Sequence, residues 1–548
     1  MNQRDTSLER RPRLAFAAAH AMMALNAAGA LCGAVFVVAG SAGDAWNVYG
    51  VLLLLTLVGN LFMSLCTGVP LRAAYAYLVF SLAAMLAVPL LNVRAAWLAP
   101  HGRSVAATAI MLALFGLGLL QASAGTRAPK QVPQPAGGHR AGRWIAVVAL
   151  SLFLALGVFL AYILLDLPFR APFLAALIEV FVPEFAVFLG FAFLTAGALI
   201  GRLLPACARR CRRVALAVSL ALFVVCMLPM LSVPSMVSNA DRTMAATFGE
   251  AFRSDAAFAS PLFRQTRFSI PEYFYGTPAD GYTAQYDVVY YRGRQSVDEG
   301  LELKFDVYRP QRSPGQLPGR GSVLIRIHGG GWSTGDKGAA NYGEINKYFA
   351  RQGYVVFDIQ YGLSTKTPLA TPTSRSGDYT IDDMVRQIGV FTTYLADHAA
   401  EYGANPGSVF ISGGSAGGHL TLAVGLGLAN GNHPELLDPR ITVKGLIPFY
   451  PANELAAATG IGGSTAWIDA NQQIDDHAPP ALIYQGSADS ITPPEIARRV
   501  QQAYQAHVRP AIAIIYLPFG THGSDLWFSS HYNQSFLYYM ERFMYQHR

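Results

Sequence analysis

The sequence predicts two architectures in one chain. A multi-span α-helical membrane domain of about seven helices is expected over residues 1–238, and an α/β domain with a mainly parallel sheet and helices on both faces over 285–548, with 239–284 connecting them. Three observations point there. The chain has 548 residues, of which 52 % are hydrophobic and only 14 % charged, against roughly 25 % charged in an average soluble protein. Residues 1–240 hold 17 Lys and Arg against 6 Asp and Glu, whereas the remainder holds 24 against 28. Long apolar runs fill the first half, and short β-branched runs alternate with helical ones in the second.

Crossing a bilayer takes about 20 apolar residues in a helix, and runs of that size lie at 14–40, 49–69, 73–91, 104–124, 144–165, 172–201 and 214–237. The first follows Arg10, Arg11 and Arg13 but is long and closely followed by others, so it reads as a retained span rather than a signal peptide. When the connections are assigned alternately to two sides, one side carries 14 Lys and Arg and the other carries three: Arg94, Arg103 and Arg170. Basic loops resist translocation, which predicts a cytoplasmic amino terminus and an extracytoplasmic second half. The sixth run is too long for one untilted span and contains Glu179, Pro183 and Glu184. A break at Pro183 would place both carboxylates at the outer water boundary, whereas ionisable groups at membrane depth are functional candidates. His20, Asn26 and Asn60 read as helix-packing hydrogen bonds. The 124–143 connection, rich in Gly, Pro and basic residues, reads as a flexible linker.

The split charge excludes one broad basic surface, so nucleic acid is not an expected partner. All five cysteines lie in the first half, so no disulfide framework is expected in the second. Cys207 and Cys211 lack a common zinc spacing. Neither a cofactor nor a metal is expected.

In the second half, 286–291 and 303–308 read as an antiparallel pair. Strands then follow at 323–327, 354–359, 409–412, 445–449, 481–484 and 512–516. Helices are expected at 342–351, 381–402, after Ser415, at 494–506 and at the carboxyl end. Such alternation predicts a mainly parallel sheet, and reactive groups in such sheets collect at the carboxyl ends of strands.

Four strand ends carry chemistry. Gly413-Gly414-Ser415-Ala416-Gly417 can form a tight strand-to-helix turn that lifts the serine hydroxyl clear of the sheet. Alone, the pattern is weak in a chain with 52 glycines. His328-Gly329-Gly330-Gly331-Trp332 supplies a glycine-rich loop able to bring backbone N–H donors close to a developing oxyanion. Asp489 and His522 follow the strands at 481–484 and 512–516, where a carboxylate can orient an imidazole that takes the serine proton. His477, His507 and His531 lack that setting, and His419, on the helix after the serine, reads as a core residue. The order Ser415, Asp489, His522 differs from both major serine protease orders.

On these residues the half from about 285 to 548 resembles the α/β-hydrolase esterases of the hormone-sensitive-lipase and feruloyl-esterase-like carboxylesterase group. Gly335-Asp336-Lys337, the strand end 358–363 and the run through Gly418 and His419 add to the resemblance. It implies oxyanion donors at the amides of Gly330, Gly331 and Ala416, and a pocket lined in part by Trp332. Gly362 stands where the family often has Arg, and Gly414 where hormone-sensitive-lipase relatives have Asp. Both departures favour the feruloyl-esterase-like branch. The resemblance does not extend to the membrane half.

The expected activity is therefore hydrolysis of carboxylic esters through an acyl-enzyme on Ser415. Between the strands at 445–449 and 481–484 only a short segment is available as a cap, so an accessible cleft is expected. Short acyl groups or acylated envelope sugars and lipids are the candidate substrates. Transfer of the acyl group to an envelope glycan or lipid shares the same chemistry and stays open. So does a membrane receptor carrying an inactive hydrolase-like binding domain.

Overall fold

A computed structural model describes residues 6–39, 43–66, 68–98, 101–126, 140–167, 176, 178–205, 207–338, 342–367 and 370–548. Arg4, Arg170 and most of the expected 124–143 linker lie outside them.

The first half forms helices α1 (Thr6–Ala39), α2 (Ala45–Leu65), α3 (Leu71–Leu98), α4 (Val105–Gly125), α5 (Arg140–Leu164), α6 (Val182–Leu203) and α7 (Arg209–Leu231). Among the described residues, seven helices are long and apolar enough to cross a membrane. The amide side chains of Asn26 and Asn60 pair reciprocally at 2.8 Å. Gly118 makes room for that pair, since a Cβ there would sit 2.2 Å from Asn26 Oδ1. Helix α6 is enclosed by its neighbours over 83 % of its apolar window, against 28–50 % for the others. It begins at Val182 with Pro183 in its first turn, where a missing N–H costs nothing. Glu179 therefore precedes the helix and Glu184 sits in its first turn.

Past α7 the chain runs on as α8 (Val233–Phe248), beyond the expected boundary at 238. Its inward residues Val233, Met236, Ala240 and Met244 recur every three or four positions and join the core beneath the sheet with Phe410, Ile447 and Tyr539. Small and polar residues between them hide that stripe in the sequence, which is why 239–284 shows no clear period. After a short helix α9 (Ile270–Tyr275) comes the sheet.

Its strands are β1 (Tyr282–Arg292), β2 (Glu302–Pro310), β3 (Ser322–Ile327), β4 (Val355–Ile359), β5 (Asn405–Gly414), β6 (Val443–Phe449), β7 (Ala481–Gly486) and β8 (Ile512–Leu517). They stand in the order β1-β2-β4-β3-β5-β6-β7-β8. β1 and β2 pair antiparallel, β2 pairs antiparallel with β4, and all later pairs are parallel. Every residue of β3, β4 and β7 is buried, so these strands read as largely apolar runs, broken by Arg326, Asp358 and Gln485, as strands covered on both faces do. Helices α10 (Tyr342–Arg351), α11 (Ile381–Tyr402), α12 (Ala416–Asn430), α13 (Pro494–Gln505) and α14 (His531–His547) cover them. The segment between β6 and β7 packs into the helical layer through Ala456, Trp467 and Ile474.

Candidate active site

Ser415 stands between β5 and α12 with φ 55° and ψ −118°. That backbone is costly for a residue bearing a Cβ, and the neighbouring glycines make it possible. A Cβ on Gly413 would lie 2.4 Å from Ile327 O, and one on Gly417 would lie 2.1 Å from the same oxygen. The turn thus presses directly on β3, and no larger residue fits.

The structure brings Ser415, Asp489 and His522 together. His522 Nε2 lies 3.0 Å from Ser415 Oγ, and His522 Nδ1 lies 3.0 Å from Asp489 Oδ2. Asp489 is held from below: its Oδ1 accepts the amides of Ile491 and Thr492 at 3.0 and 2.8 Å, and its Oδ2 accepts the Thr492 hydroxyl at 2.8 Å. Thr492 Oγ1 also lies 3.1 Å from His522 Nδ1. The loops after β7 and β8 are laced by backbone bonds from Ser487 to Leu517 and from Ala488 to Gly520, at 3.0 and 2.9 Å. Tyr450 sets its ring edge-on to the imidazole at 4.5 Å and donates its hydroxyl to buried Asp525. Burial raises the Asp525 carboxyl above its ordinary range.

Opposite the serine, His328 stacks on Tyr361 at 4.4 Å and bonds Gly329 O at 2.8 Å. Burial, aided by the Arg375 charge, lowers its pKa to about 3, so the ring is neutral. Gly330 and Gly331 adopt φ of 112° and 57°, conformations open to glycine at little cost. The amides of Gly330, Gly331 and Ala416 donate to no protein acceptor among the described residues. Lys337 anchors the loop beyond them through ion pairs to Asp306 and Asp287 at 2.7 and 2.8 Å.

Trp332 lies elsewhere than expected. It is 2 % exposed and its indole N–H donates to His419 Nδ1 at 3.2 Å, so it packs beneath the glycine loop and has almost no surface to offer a ligand. His419 is the core residue anticipated, with Nε2 2.8 Å from Trp467 O. Thr492, Tyr450 and Asp525 were not anticipated. Only Thr492 left a trace, a hydroxyl three residues after an Asp at a turn, which is an Asx-type signature. Among the described residues, no group of His, Cys, Asp or Glu is arranged to hold a metal ion.

Comparison with known proteins bears on this half. Residues 305–504 match the BD-FAE family model. The C-terminal half has an α/β-hydrolase fold and is similar to the feruloyl-esterase-like group over those residues. The hydrolase domain is similar to the probable carboxylic ester hydrolase LipM of Mycobacterium tuberculosis, at 26 % identity over 41 % of this chain and 54 % of LipM. It is similar to mouse arylacetamide deacetylase, at 31 % identity over 28 % of this chain and 35 % of the deacetylase. Among solved structures, esterase 2 of Thermogutta terrifontis, phosphorylated by paraoxon, is 25 % identical, with a TM-score of 0.35 over 44 % of this chain and 84 % of that one. The chain spans about half the length of the curated relatives LipM, LipC and LipQ.

Proposed function

We propose that this protein is a membrane-embedded serine esterase that cleaves carboxylic esters by way of an acyl-enzyme. One observation carries the reading: a serine hydroxyl in a strained turn, within 3.0 Å of an imidazole that is itself 3.0 Å from a buried carboxylate, beside unoccupied backbone donors. Ser415 Oγ attacks the ester carbonyl as His522 Nε2 takes its proton, and Asp489 stabilises the imidazolium. The amides of Gly330, Gly331 and Ala416 receive the charge that grows on the carbonyl oxygen, each such donor being worth about 3 kcal/mol in the transition state. Collapse expels the alcohol with the proton from His522. Water, deprotonated by the same imidazole, then releases the acid and restores the serine.

Among the described residues, the hydrolase domain and the segment leading to it bond the membrane helices at one end of the bundle. Lys347 of the hydrolase domain donates to Ala96 O near the end of α3, and the connecting segment bonds Asn47 at the start of α2 and Asn92 near the end of α3 through Phe268 O and Phe274 O. Arg103, before α4, and Glu184, at the start of α6, complete that face. The basic residues Arg202, Arg209, Arg210, Arg212 and Arg213 lie at the opposite end. This supports an extracytoplasmic hydrolase domain by the rule that basic loops stay inside. It also favours esters presented at the membrane surface. Hydrolysis of p-nitrophenyl esters of increasing chain length by the full chain and by Ser415→Ala tests the activity. Serine-dependent turnover is expected, and turnover equal in both proteins refutes the assignment.

A further inference from the structure

The segment leading into α6 touches both loops that carry the acid and the base of the triad. Glu179 Oε1 accepts the Ser490 hydroxyl at 2.5 Å and the Ser490 amide at 3.2 Å, and Ser490 directly follows Asp489. The backbone carbonyl of the same Glu179 accepts the Thr521 hydroxyl at 2.8 Å, and Thr521 directly precedes His522. Val180 closes on the next position, its Cγ1 lying 3.1 Å from where a Cβ on Gly523 would stand. Five residues further along each of the two segments the pattern repeats. Both carboxylate oxygens of Glu184 accept the Trp527 amide at 3.2 Å, and the Trp527 ring stacks on Phe185 at 5.3 Å with an interplanar angle of 10°. Glu179 is 6 % exposed and Glu184 fully buried, so neither contact is a loose surface encounter.

Resting on the esterase reading above, we infer that Glu179 is a positioning residue of the active site, a tie from the segment entering the sixth membrane helix that fixes the Asp489 and His522 loops relative to each other. The physical reason is geometric. Asp489 and His522 sit on separate loops, and the transfer of a proton from Ser415 depends on both staying within hydrogen-bond reach. A shift of about 1 Å between such groups costs up to a hundredfold in rate. Backbone bonds between the two loops lie on the strand side, at Leu517 and Gly520, whereas Ser490 and Thr521 lie at the far rim, where the α6 entry closes them. A single residue bonding one loop through its side chain and the other through its carbonyl couples the two. This gives the membrane half a role beyond anchorage, because the helix that Glu179 leads into is also the most enclosed among those described.

The test uses the full chain in detergent or nanodiscs, with p-nitrophenyl acetate as substrate and a fluorophosphonate as probe of Ser415. Glu179→Ala and Ser490→Ala each should lower kcat about tenfold with KM changed less than twofold, and the double variant should be no worse than either alone, since both remove one contact. Glu179→Gln, whose amide oxygen still accepts from Ser490, should keep at least half of the wild-type kcat. Fluorophosphonate labelling should slow in parallel with kcat while the unfolding temperature stays put. Wild-type kcat in both Glu179→Ala and Ser490→Ala overturns the inference. A Glu179→Ala loss that tracks a lowered unfolding temperature while Ser490→Ala is unaffected also overturns it. Wild-type protein that neither turns over nor labels defeats the esterase reading itself, and the inference with it.

Discussion

Thr492 is the residue whose part in the site is easiest to isolate. Its hydroxyl donates to Asp489 Oδ2 and faces His522 Nδ1, while its amide independently holds Asp489 Oδ1. Thr492→Val keeps shape and amide and removes only the hydroxyl. A drop of about tenfold in kcat/KM is expected, the worth of one hydrogen bond to a charged group. Unchanged kinetics would show that the amides alone hold the carboxylate. His419 makes a second residue-scale prediction. Trp332 donates to its Nδ1 and Trp467 O receives its Nε2–H, so a second proton would set two donors face to face. Burial lowers its pKa from 6.5 to about 4. The unfolded chain takes up the proton below pH 6.5 and the folded chain resists until about pH 4. Stability from this residue is thus complete above pH 6.5 and is lost as pH falls toward 4, by roughly 3 kcal/mol over the window. Thermal unfolding of wild type and His419→Gln from pH 7 to 4 should show the difference between them shrinking as the pH falls. A constant difference contradicts the account. The gathering of Ser415, Asp489 and His522 and the buried place of His419 were legible, because each follows a strand or a glycine turn. Trp332 was misplaced because a motif records which residue stands in a loop and carries no information on which way its ring turns.

Elements decide how rigidly the nucleophile is held. Helix α12 starts against the end of β3, and Gly417 is the point of closest approach. Gly417→Ala would put a methyl 2.1 Å from Ile327 O and 2.6 Å from His328 O, so α12 must lift off the sheet and take the Ser415 turn and the Ala416 amide with it. Destabilisation of about 3 kcal/mol or loss of the fold is expected, the upper range for overpacked cores. Gly315→Ala, where a Cβ meets nothing within 4 Å, is the control. Differential scanning fluorimetry and fluorophosphonate labelling read both, and equal behaviour of the two variants refutes the close approach. The central strands of the sheet were readable because burial on both faces makes them largely apolar runs. α8 was not, because its apolar positions are diluted by Asn239, Asp241 and Arg242 and its face is defined only by what it packs on.

At the scale of the whole molecule, seven helices long and apolar enough to cross a membrane, counted among the described residues, were legible in apolar length. The joining of the halves was not. Ser490 and Glu179 are 311 positions apart, and no local pattern signals a contact that only the fold creates. The arrangement predicts a side for each end: a phosphatase reporter active only outside the cytoplasm should be active when fused after Arg548 and silent when fused within 127–139. The reverse pattern contradicts the orientation. The central claim is that the three side chains gathered at the carboxyl edge of the sheet make one serine a nucleophile. Its most direct test is exposure of the full-length membrane protein to a fluorophosphonate, followed by peptide mass spectrometry. The account predicts one adduct, on Ser415, abolished by Ser415→Ala and strongly slowed by His522→Ala. No adduct on the folded wild-type protein, or one that persists in Ser415→Ala, would contradict it.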